Sequence, residues 1–357
     1  MRVAVVGAGP AGASLAYFLR GRGVDVEVYE AGPRPGFKPC GWGVPREIEE
    51  FLPVPRGVVK VKLRGYRVFL DGRQIHEDTG RRTWGYIVDK PLFLEKLLES
   101  VDVHYSAAVR FLGGEPQIPG CDDECIRVVA AGHYWSKAPN YRLLAIQYLV
   151  KGFRGEDDVL ELWFDRSMVG YIWVFPEGGG EARVGIGGFR GFDELKARLD
   201  RFVRRYPGLA SARLVRLEGA QLVVSGLRRE LYSDQLPVVG EALGAVFPLT
   251  GEGIRPAVAS AWALARSLTR GSGFWSEFES TGVPQGIDLQ ARILEIVVRA
   301  GPEARAALLS QMPASLMAKV TLGKATRRDL LGGLVRRPQL LMLLARYGLV
   351  RKDALNG

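Results

Sequence analysis

Arg2-Val-Ala-Val-Val6, followed by Gly7-Ala-Gly9-Pro-Ala-Gly12, is the stretch that decides the fold. Its first five residues read as a short buried strand, followed by an apolar helical stretch over 13–19 and a second strand over 24–29. Strand, tight turn, helix and strand make a βαβ unit. Glycines at 7, 9 and 12 let backbone amides close on a pyrophosphate, whose charge the positive end of the helix stabilises. Glu30 ends the second strand 18 residues beyond Gly12, where a carboxylate accepts hydrogen bonds from an adenosine ribose. A dinucleotide site is therefore expected.

The same logic returns far along the chain. Leu236-Pro-Val-Val-Gly240-Glu241-Ala-Leu-Gly244, then Pro248-Leu-Thr-Gly251-Glu-Gly253-Ile254, reads as buried strand, turn and helix start, with the helix over 255–269. A second nucleotide-facing loop suits FAD: its extended length needs both ends of a domain, and a helix N-terminus there stabilises an anionic reduced flavin. Residues 128–136 supply a third element of this kind. Non-covalently bound FAD is the expected cofactor. A dedicated NADPH domain is not expected, since no further Gly-rich motif follows a later strand.

Between these elements the texture changes. A helix over 89–98 with strands at 101–105 and 126–130 continues the first pattern, whereas 59–70, 143–150, 159–164, 171–175 and 182–186 are short strands with Gly-rich turns. The second group reads as an antiparallel sheet. An amphipathic helix over 193–206 ends at Pro207. The expected fold is α/β (α+β): a discontinuous Rossmann-type FAD-binding domain (1–50, 85–140, 226–272), an antiparallel-sheet substrate domain (51–84, 141–225) and a helical C-terminal region (273–357).

Composition narrows the class. Hydrophobic residues at 47% and charged residues at 25% are ordinary for a soluble globular chain and argue against disorder. No run of 18 apolar residues suggests a transmembrane helix, and the chain opens directly on a strand rather than a signal peptide. The formal charge of +10 favours an anionic partner. Its arginines come as scattered pairs without an aromatic-laced stripe, so nucleic acid is not expected. Arginine outnumbers lysine and asparagine occurs only at 140 and 356, which hints at a thermophilic source. Cys121 and Cys125 flank an acidic turn and read as two separate thiols, with a disulfide or metal pair as the alternative; with three cysteines in all, a reducing cytoplasm is expected. His76, His104 and His133 lack metal-ligand spacing, so no metal is expected, and no nucleophile elbow points to hydrolysis.

Two further motifs carry a family resemblance. One is Pro35-Gly-Phe-Lys38-Pro-Cys40-Gly41-Trp42-Gly43; the other is Tyr171-x-Trp173-x-Phe175-Pro176 followed, after eight residues, by Gly185-x-Gly187. With the three nucleotide elements, they resemble the geranylgeranyl reductases, of archaeal digeranylgeranylglycerophospholipid reductase type, among the glutathione-reductase-type flavoproteins. The resemblance covers roughly residues 1–270. It implies FAD contacts at Gly12, Glu30, Cys40, Gly41, Gly43, Gly253 and Ile254, with further ones at Lys90 and Val109, and a substrate cavity lined by the second motif. The chain departs from that pattern at Trp42 (usually acidic or glycine), Lys90 (usually Arg), Ala131 (usually Asp) and Glu241 (usually Asp). Glu241 keeps a carboxylate for the ribityl chain; Lys90 keeps the charge but loses the bidentate fork.

The reaction so implied is saturation of isoprenoid C=C bonds by hydride from reduced flavin, on archaeal ether lipids. An unactivated alkene needs a proton source and exclusion of water. Cys40 is the expected proton-bearing or substrate-positioning residue, against a packing role for a small side chain. Tyr171, Trp173 and Phe175 alternate along a strand and share one face. Acidic ferredoxin or NADPH is the expected electron donor, and the basic, amphipathic 330–349 suits peripheral contact with an anionic membrane, or else a bundle covering the core. A flavin monooxygenase of a hydrophobic substrate and a non-catalytic flavin electron carrier are the rival readings.

Overall fold

The computed structural model describes residues 1–135 and 141–334. Within them the opening βαβ unit seeds a parallel sheet in the order Cys125–Val129, Arg2–Val6, Asp25–Tyr29, Asp102–His104. Val3, Val5, Val28 and Val128 are completely buried, as expected for a parallel sheet covered on both faces. Pro237–Val239 runs alongside this sheet: the Val129 amide donates to the Pro237 carbonyl at 2.9 Å and the Val239 amide to Val129 at 3.0 Å. The two distant pieces of sequence are thereby joined.

Helix Pro10–Leu19 packs against helix Ile254–Arg270 through small side chains, which lets the two backbones approach closely. Phe274, Phe278, Val283 and Ile287 extend the same core. Asp89 caps helix Lys90–Leu97 by accepting from the Leu92 amide.

The second layer is a seven-stranded sheet in the order Arg213–Val223, Arg142–Lys151, Glu181–Gly188, Gly170–Gly178, Val159–Phe164, Gly65–Leu70, Arg73–Thr79. Two expectations need correction. The sheet is not wholly antiparallel, because Val159–Phe164 runs parallel to Gly65–Leu70. Residues 59–70 are not one strand: the chain breaks at Arg64, so that Val59–Leu63 joins Gly43–Pro45 and Gly85–Val88 in a small separate sheet. Gly65, with φ of +157°, makes the turn. The Arg213–Val223 strand had no clear alternation, since it is an edge strand with much of its length exposed.

Cys121 and Cys125 are disulfide-bonded, not separate thiols; the turn brings their Cα atoms to 5.3 Å, within bridging range. With that bond, a reducing compartment no longer follows from cysteine usage. No helix among the described residues is long and apolar enough to cross a membrane. Of the amphipathic stretch 330–349, only 330–334 falls in a described element, helix Arg327–Leu334; the rest lies outside the described residues.

Candidate active site

One cavity of about 990 Å³ runs from the first glycine turn, past the Cys40 loop, to the C-terminal helices. At its first end, Gly7 has φ of +107° and a Cβ there would lie 2.6 Å from the Ala130 carbonyl oxygen; a Cβ on Gly12 would lie 1.9 Å from the Gly7 carbonyl oxygen. Gly9 faces open space. Helix Pro10–Leu19 has no side-chain cap at Gly9, so its first amides are left for a ligand. Glu30 accepts from the Ala8 amide at 2.8 Å and the Gly32 amide at 2.7 Å, which ties the end of the second strand to the turn.

A second uncapped helix N-terminus, at Gly253-Ile254, opens on the same cavity, as do Gly251, Val109 and Glu241. Two such termini, with a glycine floor where side chains cannot intrude, fit an extended, doubly anionic dinucleotide better than a compact ligand. Glu241 is held by the Lys38 ammonium at 2.6 Å and the Val223 amide at 3.0 Å. Lys90 is only 4% exposed and donates to the Lys38 carbonyl at 2.7 Å; burial pushes its pKa below the usual lysine range. Burial likewise raises the Glu252 carboxyl, even though Arg255 reaches both its oxygens.

Cys40, Gly41 and Gly43 form the waist. A Cβ at Gly41 would sit 2.7 Å from the Phe175 ring, and at Gly43 3.2 Å, so these glycines exist to let the aromatic strand lie against the loop. Tyr171, Trp173 and Phe175 all face the cavity, whereas Pro176 turns into the core. Tyr171 donates its hydroxyl to the Thr250 carbonyl, and burial raises its pKa far enough to keep it protonated, with a smaller contribution from Cys40. It thereby ties the aromatic strand to the 250–254 loop. Gly185 lies beneath Trp173 and Gly187 beside it. Gly12, Pro176 and Gly185 thus shape the cavity without lining it.

Sequence reasoning missed the far wall. Ile293, Val297, Leu308, Met312, Leu316 and Met317, from helices Val283–Arg299, Pro302–Ser310 and Ala314–Thr321 and the turn between the last two, roof the apolar end. With Met168, three of the chain's five methionines line the cavity, an adaptable surface for a flexible apolar chain. The helical periodicity was visible, but not that one helix face borders a hollow. Gln147, Arg183 and Glu218 were also missed, being polar residues in strands with no motif spacing.

Comparison with known proteins agrees with this geometry. Residues 5–40 match the NAD(P)-binding Rossmann-like domain, and residues 143–222 match the geranylgeranyl reductase catalytic domain. The digeranylgeranylglycerophospholipid reductase of Thermoplasma acidophilum is 26% identical over 297 residues, covering 72% of this chain and 75% of that one. Among solved structures, a geranylgeranyl bacteriochlorophyll reductase-like protein of Thermoplasma acidophilum superposes with a TM-score of 0.76 at 20% identity, over 97% of this chain and 98% of the other. A flavoprotein/dehydrogenase of Cytophaga hutchinsonii superposes with a TM-score of 0.67 at 17% identity, over 99% and 100%. The chain thus carries a geranylgeranyl reductase catalytic domain within a flavoprotein fold, the combination of an oxidoreductase that uses FAD.

Proposed function

We propose that this protein saturates geranylgeranyl chains of archaeal ether phospholipids, drawing electrons from an acidic ferredoxin or from NADPH. The observation that carries the reading is the continuity of the cavity: a dinucleotide cradle with two uncapped helix ends opens directly into an aliphatic and methionine-lined hollow. Such a hollow, lined mainly by apolar side chains among the described residues, favours exclusion of water and has room for an isoprenoid.

Placement along the cavity supports a division of labour. Residues 1–50, 85–140 and 226–272 hold FAD, residues 51–84 and 141–225 present the substrate, and the helices beyond 272 roof it. Gly7, Gly9 and Gly12 hold the pyrophosphate, Glu30 the adenosine ribose, and Glu241 with Lys90 the middle of the cofactor, while Gly251, Gly253 and Ile254 meet the flavin. Val109 contributes an apolar contact. Reduced flavin, when bound, supplies a hydride to one alkene carbon. The Cys40 thiol, at the junction of the two ends of the cavity, delivers the proton to the other. Trp173, Tyr171 and Phe175 press the alkene against that junction, and Gly185 and Gly187 leave room for them.

The basic chain, at +10, further suits an anionic surface or an acidic redox partner. Flotation with anionic vesicles tests the membrane part, and absence of co-migration removes it. The central test is anaerobic. The yellow protein is reduced with dithionite, mixed with a geranylgeranyl ether lipid, and followed by absorbance and product mass. Reoxidation with mass gains in steps of two hydrogens is expected; flavin that stays reduced until oxygen is admitted points instead to a monooxygenase or a carrier.

A further inference from the structure

Beneath the Cys40 loop lies a buried charge cluster. Arg183 is 2% exposed and Glu177 4%. The Arg183 guanidinium donates to Glu177 and, through Nη1, to Glu218 Oε2 at 2.8 Å. Lys60 takes the other oxygen of Glu177 at 2.7 Å. Glu218 Oε2 also accepts from Gln147 Nε2 at 3.1 Å, and the same Nε2 donates to the Cys40 carbonyl at 3.1 Å. Both partners of that amide nitrogen are acceptors, which settles the orientation of the side chain.

The same cation grips the loop a second time. Arg183 Cζ lies 3.8 Å from the centre of the Trp42 ring, with Lys60 Nζ 5.4 Å away. Trp42 has φ of +62°, a left-handed conformation that a bulky residue adopts only when its surroundings hold it there. A buried ion triad is a poor source of stability compared with apolar packing, but it sets geometry well. Here its hydrogen bonds end on Cys40 and its guanidinium face covers Trp42, either side of Gly41.

We propose that Arg183 is a positioning residue, which holds the Cys40-Gly41-Trp42-Gly43 loop in the conformation that presents the Cys40 thiol to the cavity, through Gln147 on one flank and Trp42 on the other. The catalytic consequence rests on Cys40 bearing the proton; the positional claim does not.

The test uses the FAD-loaded full chain carrying Arg183→Met, Trp42→Leu or Gln147→Leu. Because Cys121 and Cys125 are bonded to each other, Cys40 is the free thiol, and its alkylation by iodoacetamide is read by mass spectrometry. Each variant is expected to change the alkylation rate about 10-fold and to lower kcat by a similar factor with KM held within about twofold, the pattern of a lost positioning contact. Arg183→Lys, which keeps the charge but not the planar fork, is expected to fall between wild type and Arg183→Met. If Arg183→Met does not fold, Trp42→Leu and Gln147→Leu decide, since both leave the buried charges in place. Alkylation and kcat within twofold of wild type in those two variants overturn the proposal. Altered alkylation combined with full turnover by Cys40→Ala instead overturns the reading of Cys40 and leaves the positioning intact.

Discussion

The six-membered ring of Trp173 occupies the space above Gly185, its partner on the adjacent strand: a Cβ built at 185 falls 2.2 Å from that ring. The spacing between the aromatic strand and the Gly-x-Gly strand is thus a packing requirement, with the glycine vacating the volume that the indole fills.

Gly185→Ala is therefore expected to displace Trp173 into the cavity. Overpacking of this kind costs about 1–3 kcal/mol. Thermal unfolding should show that loss, and kcat/KM for a geranylgeranyl lipid should drop while the flavin spectrum persists. An unshifted melting temperature and unchanged kcat/KM would refute the packing argument.

Gly12→Ala acts at the other end. The added methyl would collide with the Gly7 carbonyl oxygen at 1.9 Å and open the turn that the pyrophosphate needs. FAD affinity, measured by titrating apoprotein, is expected to weaken by about 100-fold, equivalent to about 2.7 kcal/mol. Purification of fully yellow protein would contradict it.

Cys40→Ala removes the thiol while keeping a small side chain in the loop. If Cys40 is the proton donor, kcat falls about 100-fold, within the usual range for a general acid, with FAD content unchanged. Stopped-flow reoxidation of the reduced protein by lipid measures this directly. Unchanged turnover returns Cys40 to a packing role.

Asp329 gives a pH dependence for the roof. Lys319 first, and then Thr326, hold its carboxyl below the ordinary 3.8, at about 2. Asp329 accepts from the Thr326 amide at 2.9 Å while the Asp329 amide donates to Thr326 Oγ1 at 3.2 Å, a reciprocal cap on helix Arg327–Leu334. A depressed carboxylate stabilises the fold above its unfolded pKa, and that stability is lost as pH falls through about 2. Asp329→Asn, which keeps an acceptor for the Thr326 amide but loses the charge beside Lys319, should melt lower at pH 7 by the equivalent of up to about 1 kcal/mol, and the difference should close as the pH drops below about 4. A gap independent of pH would show that the charge does not matter.

The dinucleotide turn was legible because its constraints are local: Gly7 and Gly12 are demanded by backbone geometry within one turn, Gly9 leaves open space beside them, and Glu30 is placed by the length of one βαβ unit. The aromatic strand was legible for a similar reason, since Tyr171, Trp173 and Phe175 alternate on a single face. The break at Arg64 was not, because either side of it alternates like one strand and only pairing with different partners separates them. The Cys121–Cys125 bond was equally hidden, since the spacing allows both free and paired thiols and the turn decides.

By itself, then, the chain determined the order of its elements, its dinucleotide cradle and the aromatic face of its cavity, all set by steric rules acting over a few residues. Only the tertiary structure decided that Ile293, Met312 and Met317 roof that cavity, and that Arg183, Glu218 and Gln147 stand beneath Cys40. Those contacts join residues more than a hundred positions from the loop they serve. No periodicity records such a meeting, because burial of an apolar helix face or a polar side chain looks the same in sequence whether it meets core or cavity.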